Sequence, residues 1–311
     1  MKTTSKIAAL ALATATLVSV LLFLPGCTRI ARAFYLSGYD RDISSAAKSI
    51  ESARDNSQRA EAYARRGSAY SEKARYCKAF KLISADEYGR LFGLAINDHD
   101  QAVALDPDRA EVYYSRGVSY YDRASLEAAV DGRLMGTEAD RKAWFAPAAA
   151  DFKKAIEKNP RLDLAWDRLG LTHETTGEID DAINDYTQEM ALNPLGRARL
   201  ADAYCTRGSS NRKSTSQKDP DQKDQTQKVP SQKDPNQIEN DAAIADLEKS
   251  IELGATADGC SCDPYNPLLF RYTSGRRYDQ AWTVVHKAQQ SKKWIAPEFL
   301  DKLKKESERS N

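Results

Sequence analysis

Imidazoles, thiols and close pairs of carboxylates are the groups from which most active sites are built. This chain is sparing with the first two, carrying 3 His and 5 Cys in 311 residues. His99, His173 and His286 are far apart, and no H-E-x-x-H run sets two imidazoles on one helix face for a metal. There is no phosphate-cradling G-x-x-x-x-G-K-[ST] loop and no G-x-S-x-G nucleophile elbow. Asp180-Asp181 reads as the first turn of a helix, where carboxylates favour the positive end of the dipole, and not as an acid–base pair. His99 and His173 fall where neighbouring segments carry Phe or Tyr, so both are expected to pack, and His286 is expected to face outward. The chain is accordingly expected not to be an enzyme and to need no cofactor and no metal.

The cysteines carry more information. Apart from Cys27, the chain has Cys77, Cys205, Cys260 and Cys262, an even number. Cys260-Ser261-Cys262 has the look of half a metal site, but no second pair or nearby His completes it, and a disulfide is the better reading. Cys77 is expected to be free or buried.

The N-terminus places these thiols in an exported chain. Lys2 and Lys6 precede Ile7–Leu24, an uncharged run of 18 residues, and Leu24-Pro25-Gly26-Cys27 follows. A charged start, an apolar run and a small residue before a break form a secretory signal. Leu24, Gly26 and Cys27 resemble a bacterial lipoprotein signal. That resemblance implies a signal peptide over residues 1–26 and lipidation of Cys27. The chain would then be held on a membrane in the cell envelope, facing the periplasm or the cell exterior. Pro25 departs from the pattern, which usually has Ala, Ser or Thr there. The run is also long enough for an uncleaved anchor, and simple secretion is the third reading; all three export the chain. With 46 Lys and Arg against 45 Asp and Glu, no basic excess points to nucleic acid.

Most of the remaining sequence is organised in helical pairs. In Leu162–Pro194, Trp166, Leu169 and Gly170 share one face of a first helix. Ala182, Ile183, Tyr186, Met190 and Leu192 form a stripe on a second, with the break at Thr176-Gly177 and a stop at Pro194. Gly170 and Ala182 allow the two helices to approach closely, and the large residues fill the flanks. Pro160 and Pro194 are 34 residues apart. Spacing and residue types together resemble a tetratricopeptide repeat.

Similar positions recur. Tyr63, Gly67 and Tyr70 open one unit (60–109), closed by Ala95, Ile96, Ala102, Leu105 and Pro107. Its inserted Ser71–Leu94 is expected to lengthen both helices, with a helix start at Ser84-Ala85-Asp86-Glu87. Tyr113, Gly117 and Tyr120 open the next (110–162), where Tyr121–Pro147 is inserted. Trp144-Phe145 is expected to dock there, and Pro147 to sit in the first turn of the closing helix. The clean unit spans 163–196. A fourth (201–256) carries the near-duplicate Ser216–Gln222 and Ser231–Gln237 within 211–240, an insert expected to be disordered. A fifth (262–290) has Leu269 in the place of the glycine. Residues 27–59 are expected to be a linker and an N-terminal capping helix, and 291–311 a C-terminal capping helix and tail.

The resemblance covers about residues 60–290. It implies an all-α fold, a right-handed superhelical array of helix-turn-helix units with long insertions in several repeats. It also implies a protein or peptide ligand in a concave groove lined by the first helices. Carried over by position, Arg65, Tyr114, Tyr121, Arg168 and Glu174 are the candidate binding residues, Tyr and Arg being favoured at interfaces. The Lys/Asn set with which some related arrays grip a terminal carboxylate is absent: Ala64, Tyr114 and Asp167 stand where its cation is expected. Stacked repeats bring the fourth and fifth units together, so Cys205 is expected to bond Cys260 or Cys262. The function expected is that of a membrane-tethered envelope scaffold. The alternative is an accessory subunit or enzyme acting on cell-wall or envelope polymer.

Overall fold

A computed structural model of the chain describes residues 25–127, 129–130, 133–134, 136–210, 235–254 and 262–308. Among these, twelve α-helices account for nearly all regular structure, joined by one 3-10 turn and one two-stranded ribbon. The fold is an all-α series of helical hairpins. It divides into two compact units, Met1–Asn159 and Pro160–Asn311.

In the first unit, α1 spans Pro25–Ser52, α2 Asn56–Ala79, α3 Ala85–Leu105, α4 Ala110–Glu127 and α5 Glu138–Lys158. Where a linker and a capping helix are expected over 27–59, the chain is one helix of 28 residues followed directly by α2. The break at residues 53–55 comes from capping: the Asp55 side chain accepts the Gln58 amide at 2.8 Å. This starts α2 four residues before Ala60, the expected opening of the first repeat. The insert Ser71–Leu94 is consumed by the 24-residue α2 and the 21-residue α3, and Ser84 caps α3 through the Glu87 amide.

The second insert is a short ribbon followed by a helix that begins well before Pro147. After α4 come the strands β1 (Ala129–Val130) and β2 (Arg133–Leu134), paired antiparallel with Ala129 opposite Leu134. A capping box at Thr137 then opens α5: Thr137 Oγ1 accepts the Asp140 amide at 3.2 Å, and Asp140 accepts the Thr137 amide at 2.9 Å. Because the box fixes the start that early, Pro147 lies inside α5 and not in its first turn. Its missing N–H costs the helix one bond there. Phe145 is fully buried beside Ala124 and Tyr121, whereas Trp144 keeps 37% of its surface exposed.

The second unit contains α6 (Asp163–Thr176), α7 (Ile179–Leu192), the 3-10 turn Pro194–Gly196, α8 (Arg197–Ser209), α9 (Pro235–Glu252), α10 (Tyr265–Ser274), α11 (Tyr278–Gln290) and α12 (Pro297–Glu308). Gly177 ends α6 at φ 87°, a left-handed conformation open to glycine at little cost. The stripe of α7 runs through Ala182, Ile183 and Tyr186 to Glu189, all buried. Leu192, expected in that stripe, is 39% exposed at the last position of the helix before Pro194. Residues 211–234 of the expected insert lie outside the described residues, and α9 already begins at Pro235 within the remainder. The core of this end of the unit joins Cys205, Leu247, Tyr265, Leu268, Leu269, Tyr272, Val285 and Leu303.

Each regular hairpin closes over a glycine of its first helix. A Cβ on Gly117 would stand 2.7 Å from the Phe152 ring, and one on Gly170 would stand 2.7 Å from Tyr186. At Leu269 no glycine is present, and the leucine itself is buried.

Candidate functional site

The polar groups best organised by the fold are three arginines, each preceding a glycine packed in this way, Gly67, Gly117 or Gly208. Arg66 donates to Asp98 through Nε and Nη2, both at 2.7 Å. Arg116 does the same to Asp151 at 2.8 and 2.7 Å, and Arg207 to Asp246 at 2.8 Å twice. Each guanidinium also lies over the ring of the tyrosine three residues earlier, 5.6 Å from Tyr63, 5.6 Å from Tyr113 and 5.4 Å from Tyr204. Two of them reach back to the preceding hairpin: Arg116 to Asp100 at 2.7 Å, and Arg207 to Asp180. Hydrogen bonding to these carboxylates raises the Arg66, Arg116 and Arg207 pKa values, so the guanidiniums stay charged. Sequence reasoning missed this ladder, although its signal, Tyr-x-x-Arg-Gly at 63–67, 113–117 and 204–208, is plain. In α6 the same places read Trp166 and Leu169, and the Asp of α7, Asp185, instead meets His173 Nδ1 at 2.6 Å.

His99 and His173 are built into the packing. His99 is fully buried, with Nδ1 3.4 Å from the Ser119 hydroxyl, which in turn meets Ser71 at 2.7 Å. Burial lowers its pKa to about 4, leaving a neutral ring at ordinary pH. His286 is exposed beside Trp282. No group of three His, Cys, Asp or Glu able to hold a metal occurs among the described residues.

The candidate binding residues fall in both units. In the first, Arg65 is exposed on α2, and Tyr114 is half-buried on α4, its ring 6.1 Å from Phe152. Tyr121 is drawn into packing, its ring 5.1 Å from Phe145. In the second unit, Arg168 is half-buried on α6. Glu174 accepts a hydrogen bond from Tyr186 Oη at 2.9 Å. Tyr121 and Glu174 are thus engaged within their own hairpins, while Arg65, Tyr114 and Arg168 present surface from first helices.

A second carboxylate of α7 is unusual. Glu189 is 4% exposed, its Oε2 has no hydrogen-bond partner, and its carboxylate rests on Gly196 so closely that a methyl there would overlap it. Burial, then Asp167 and Asp163, push its pKa up to about 7, with Arg199 opposing. Arg199 is itself bonded to Asp167 at 2.6 Å.

Cys205 of α8 and Cys262, just before α10, are joined by a disulfide, with Cα atoms 6.1 Å apart. Asp202 accepts the Cys262 amide at 3.1 Å and fixes the approach. Cys260 lies outside the described residues, and Cys77 is free and buried, where desolvation raises its pKa. Residues 1–24, which hold the expected signal run, also lie outside the described residues; Cys27 falls in the first turn of α1. Among the described residues no helix is long and apolar enough to cross a membrane.

Residues of α9, α10 and α11 line a cleft of about 410 Å³, among them Leu268, Val284, Glu248, Glu252 and Lys287. Tyr272, also in its lining, donates to Glu248 at 2.6 Å.

No protein-family model and no curated protein matches the chain. Several solved structures are similar in fold. MamA is 18% identical, with 74% of this chain and 95% of MamA covered, at a TM-score of 0.41. YrrB, described as a TPR protein with an unusual peptide-binding site, is 14% identical, with 79% of this chain and 91% of YrrB covered, at 0.42. TTC0263, a TPR protein of Thermus thermophilus, is 18% identical, with coverages of 72% and 87%, at 0.38. At such values the peptide site of YrrB is a property of YrrB alone.

Proposed function

We propose that this chain is a membrane-tethered scaffold of the cell envelope that binds a protein or an extended peptide and performs no chemistry. The observation that carries the reading is where the polar groups go. The arginines, histidines and carboxylates best ordered by the fold are bonded to one another inside hairpins. The side chains left on first-helix surfaces, Arg65, Tyr114 and Arg168, are types that make contact area and directional hydrogen bonds. Tethering rests on the Leu24, Gly26 and Cys27 pattern.

The test is site-specific photocrosslinking in intact envelopes, with the probe at Tyr114 or Arg168. A discrete protein adduct supports the scaffold. Retention on purified wall polymer with no protein adduct points to the polymer-binding alternative. Cys27→Ala should abolish incorporation of labelled fatty acid and release the chain from membranes; membrane association without lipid label in the wild type leaves the uncleaved anchor.

A further inference from the structure

We propose that the reversal between α2 and α3, residues 78–83, is a second contact of the chain with the bilayer. Lys78 and Lys81 meet anionic phospholipid headgroups, and the Phe80 ring settles beside them. The proposal rests on the tethering read above from Leu24, Gly26 and Cys27, and it gives the first long insert a task.

The helices carry this tip to the tethered end of the chain. α1 and α2 run side by side and antiparallel: Lys73 donates to Asp40 at 2.7 Å, and the Tyr76 ring lies 5.7 Å from Tyr39 and 5.5 Å from Tyr35. Moving forward along α2 is therefore moving back along α1, towards Cys27. From Tyr35 to Cys27 is about 12 Å of helix, and Phe80, one turn beyond Tyr76, recovers about 6 Å of it. The inserted part of α2, residues 71–79, supplies about 14 Å of that reach. Measured along α1, the tip stands about 6 Å from the level of Cys27, within the depth of one headgroup layer, roughly 5–8 Å. The uncharged run ending at Leu24 sets the bilayer at the same end if it is an uncleaved anchor. A gap of about 6 Å is narrower than a helix, about 10 Å across, so a folded partner does not fit between the tip and the membrane.

The tip presents what that surface takes. Phe80 is 46% exposed and Tyr35 55%, and the Tyr76 ring meets both. Aromatic rings of this kind settle at the boundary of membrane and water. The Leu82 amide donates to the Cys77 carbonyl at 2.8 Å, and the Lys81 amide to the Lys78 carbonyl at 3.0 Å, which fixes the reversal. Ile83 packs inward on Ala74, Leu91 and Phe92. Charge at the tip is one-sided. Lys73 and Arg75, further back on α2, are paired with Asp40 and Asp122. Lys78 and Lys81 are exposed and enter no ion pair among the described residues. The next carboxylates, Asp86 and Glu87, sit in the first turn of α3 at the positive end of its dipole, and Glu87 is held by Arg90.

The test places p-benzoylphenylalanine at Phe80, or at the exposed Asn56 at the far end of α2, in the full chain. The chain is purified from membranes and reconstituted in vesicles of phosphatidylglycerol and phosphatidylcholine. Irradiation should give a phospholipid adduct at position 80 about tenfold or more above position 56. Lys78→Glu/Lys81→Glu should lower the adduct about fivefold or more, as should vesicles of phosphatidylcholine alone, while Lys78→Arg/Lys81→Arg should retain it. Sedimentation with the vesicles reads the tether separately. A chain that sediments but gives equal adducts at 80 and 56, or none at 80, overturns the contact and leaves the tether standing. So does a protein adduct in place of the lipid one when the same probe is irradiated in intact membranes. An adduct indifferent to the Lys→Glu changes overturns the role of the headgroups. A chain that stays in solution overturns the tethering, and this contact with it.

Discussion

Arg116 grips Asp151 with two parallel hydrogen bonds, Nε to Oδ2 at 2.8 Å and Nη2 to Oδ1 at 2.7 Å, and the carboxylate side chain keeps only 7% of its surface in water. A carboxylate so placed depends on its cation, since desolvation is repaid only while the pair is intact. Arg116→Ala should therefore destabilise the first unit by about 3 kcal/mol, measured by urea unfolding. Replacing both partners, as Arg116→Met with Asp151→Leu, should recover most of that loss. A single substitution costing under about 1 kcal/mol would show that the ladder carries little of the stability.

Gly170 gives a steric prediction. Tyr186 is fully buried against it, and its hydroxyl is tied to Glu174, so the ring cannot swing away freely. Gly170→Ala should cost about 2 kcal/mol through overpacking, despite alanine's better helix propensity. A variant as stable as wild type would mean that α6 and α7 can separate by a few tenths of an ångström without loss.

The hairpins were legible because their signals are local: Gly170 with Tyr186, Gly117 with Phe152, and the Ser84 cap each belong to the helix pair whose pattern predicts them. The misplaced features depend on competition between neighbours. Pro147 looks like a helix start until Thr137-x-x-Asp140 claims that role ten residues earlier. The 28-residue α1 hides behind Gly38 and Asp40, which taken singly suggest a linker. Tyr121 and Glu174 have the register of groove residues, and only the packed structure shows Phe145 and Tyr186 already holding them. The Arg–Asp ladder was missed for another reason. Arg116 and Asp151 are 35 residues apart, and the recurring Tyr-x-x-Arg-Gly marks the arginines without saying which carboxylate each one meets.

Glu189 supplies the pH dependence. Its carboxyl titrates near 7 in the folded chain, above its value of about 4.3 when unfolded, so the folded state binds the extra proton between those values. Stability from this group is complete below about pH 4 and declines as pH rises through 7. Glu189→Gln keeps the shape against Gly196 and removes the charge. The variant should be the more stable by about 1–2 kcal/mol at pH 8, a figure discounted for screening by Arg199 and solvent, and little different at pH 5. Parallel unfolding curves of the two proteins across that range would show that Glu189 does not titrate there.

The Cys205–Cys262 bond gives the largest single effect expected. It ties α8 to the segment entering α10 across 57 residues of chain. Cross-linking a loop of that length restricts the unfolded ensemble and should stabilise the second unit by about 4 kcal/mol. Its geometry is supported from the side, because Asp202 holds the Cys262 amide and Cys205 is itself fully buried in the core of the unit. Thermal unfolding with and without dithiothreitol should therefore differ markedly in the transition of the second unit. The Cys205→Ser/Cys262→Ser variant should melt like reduced wild type, and reductant should no longer affect it. The first unit is its own control: Cys77 is free and buried, and its transition should not move. Non-reducing peptide mapping identifies the partners. A bond from Cys205 to Cys260 or Cys77, or a second transition indifferent to reductant, would show that α8 and the approach to α10 are not held together in this way.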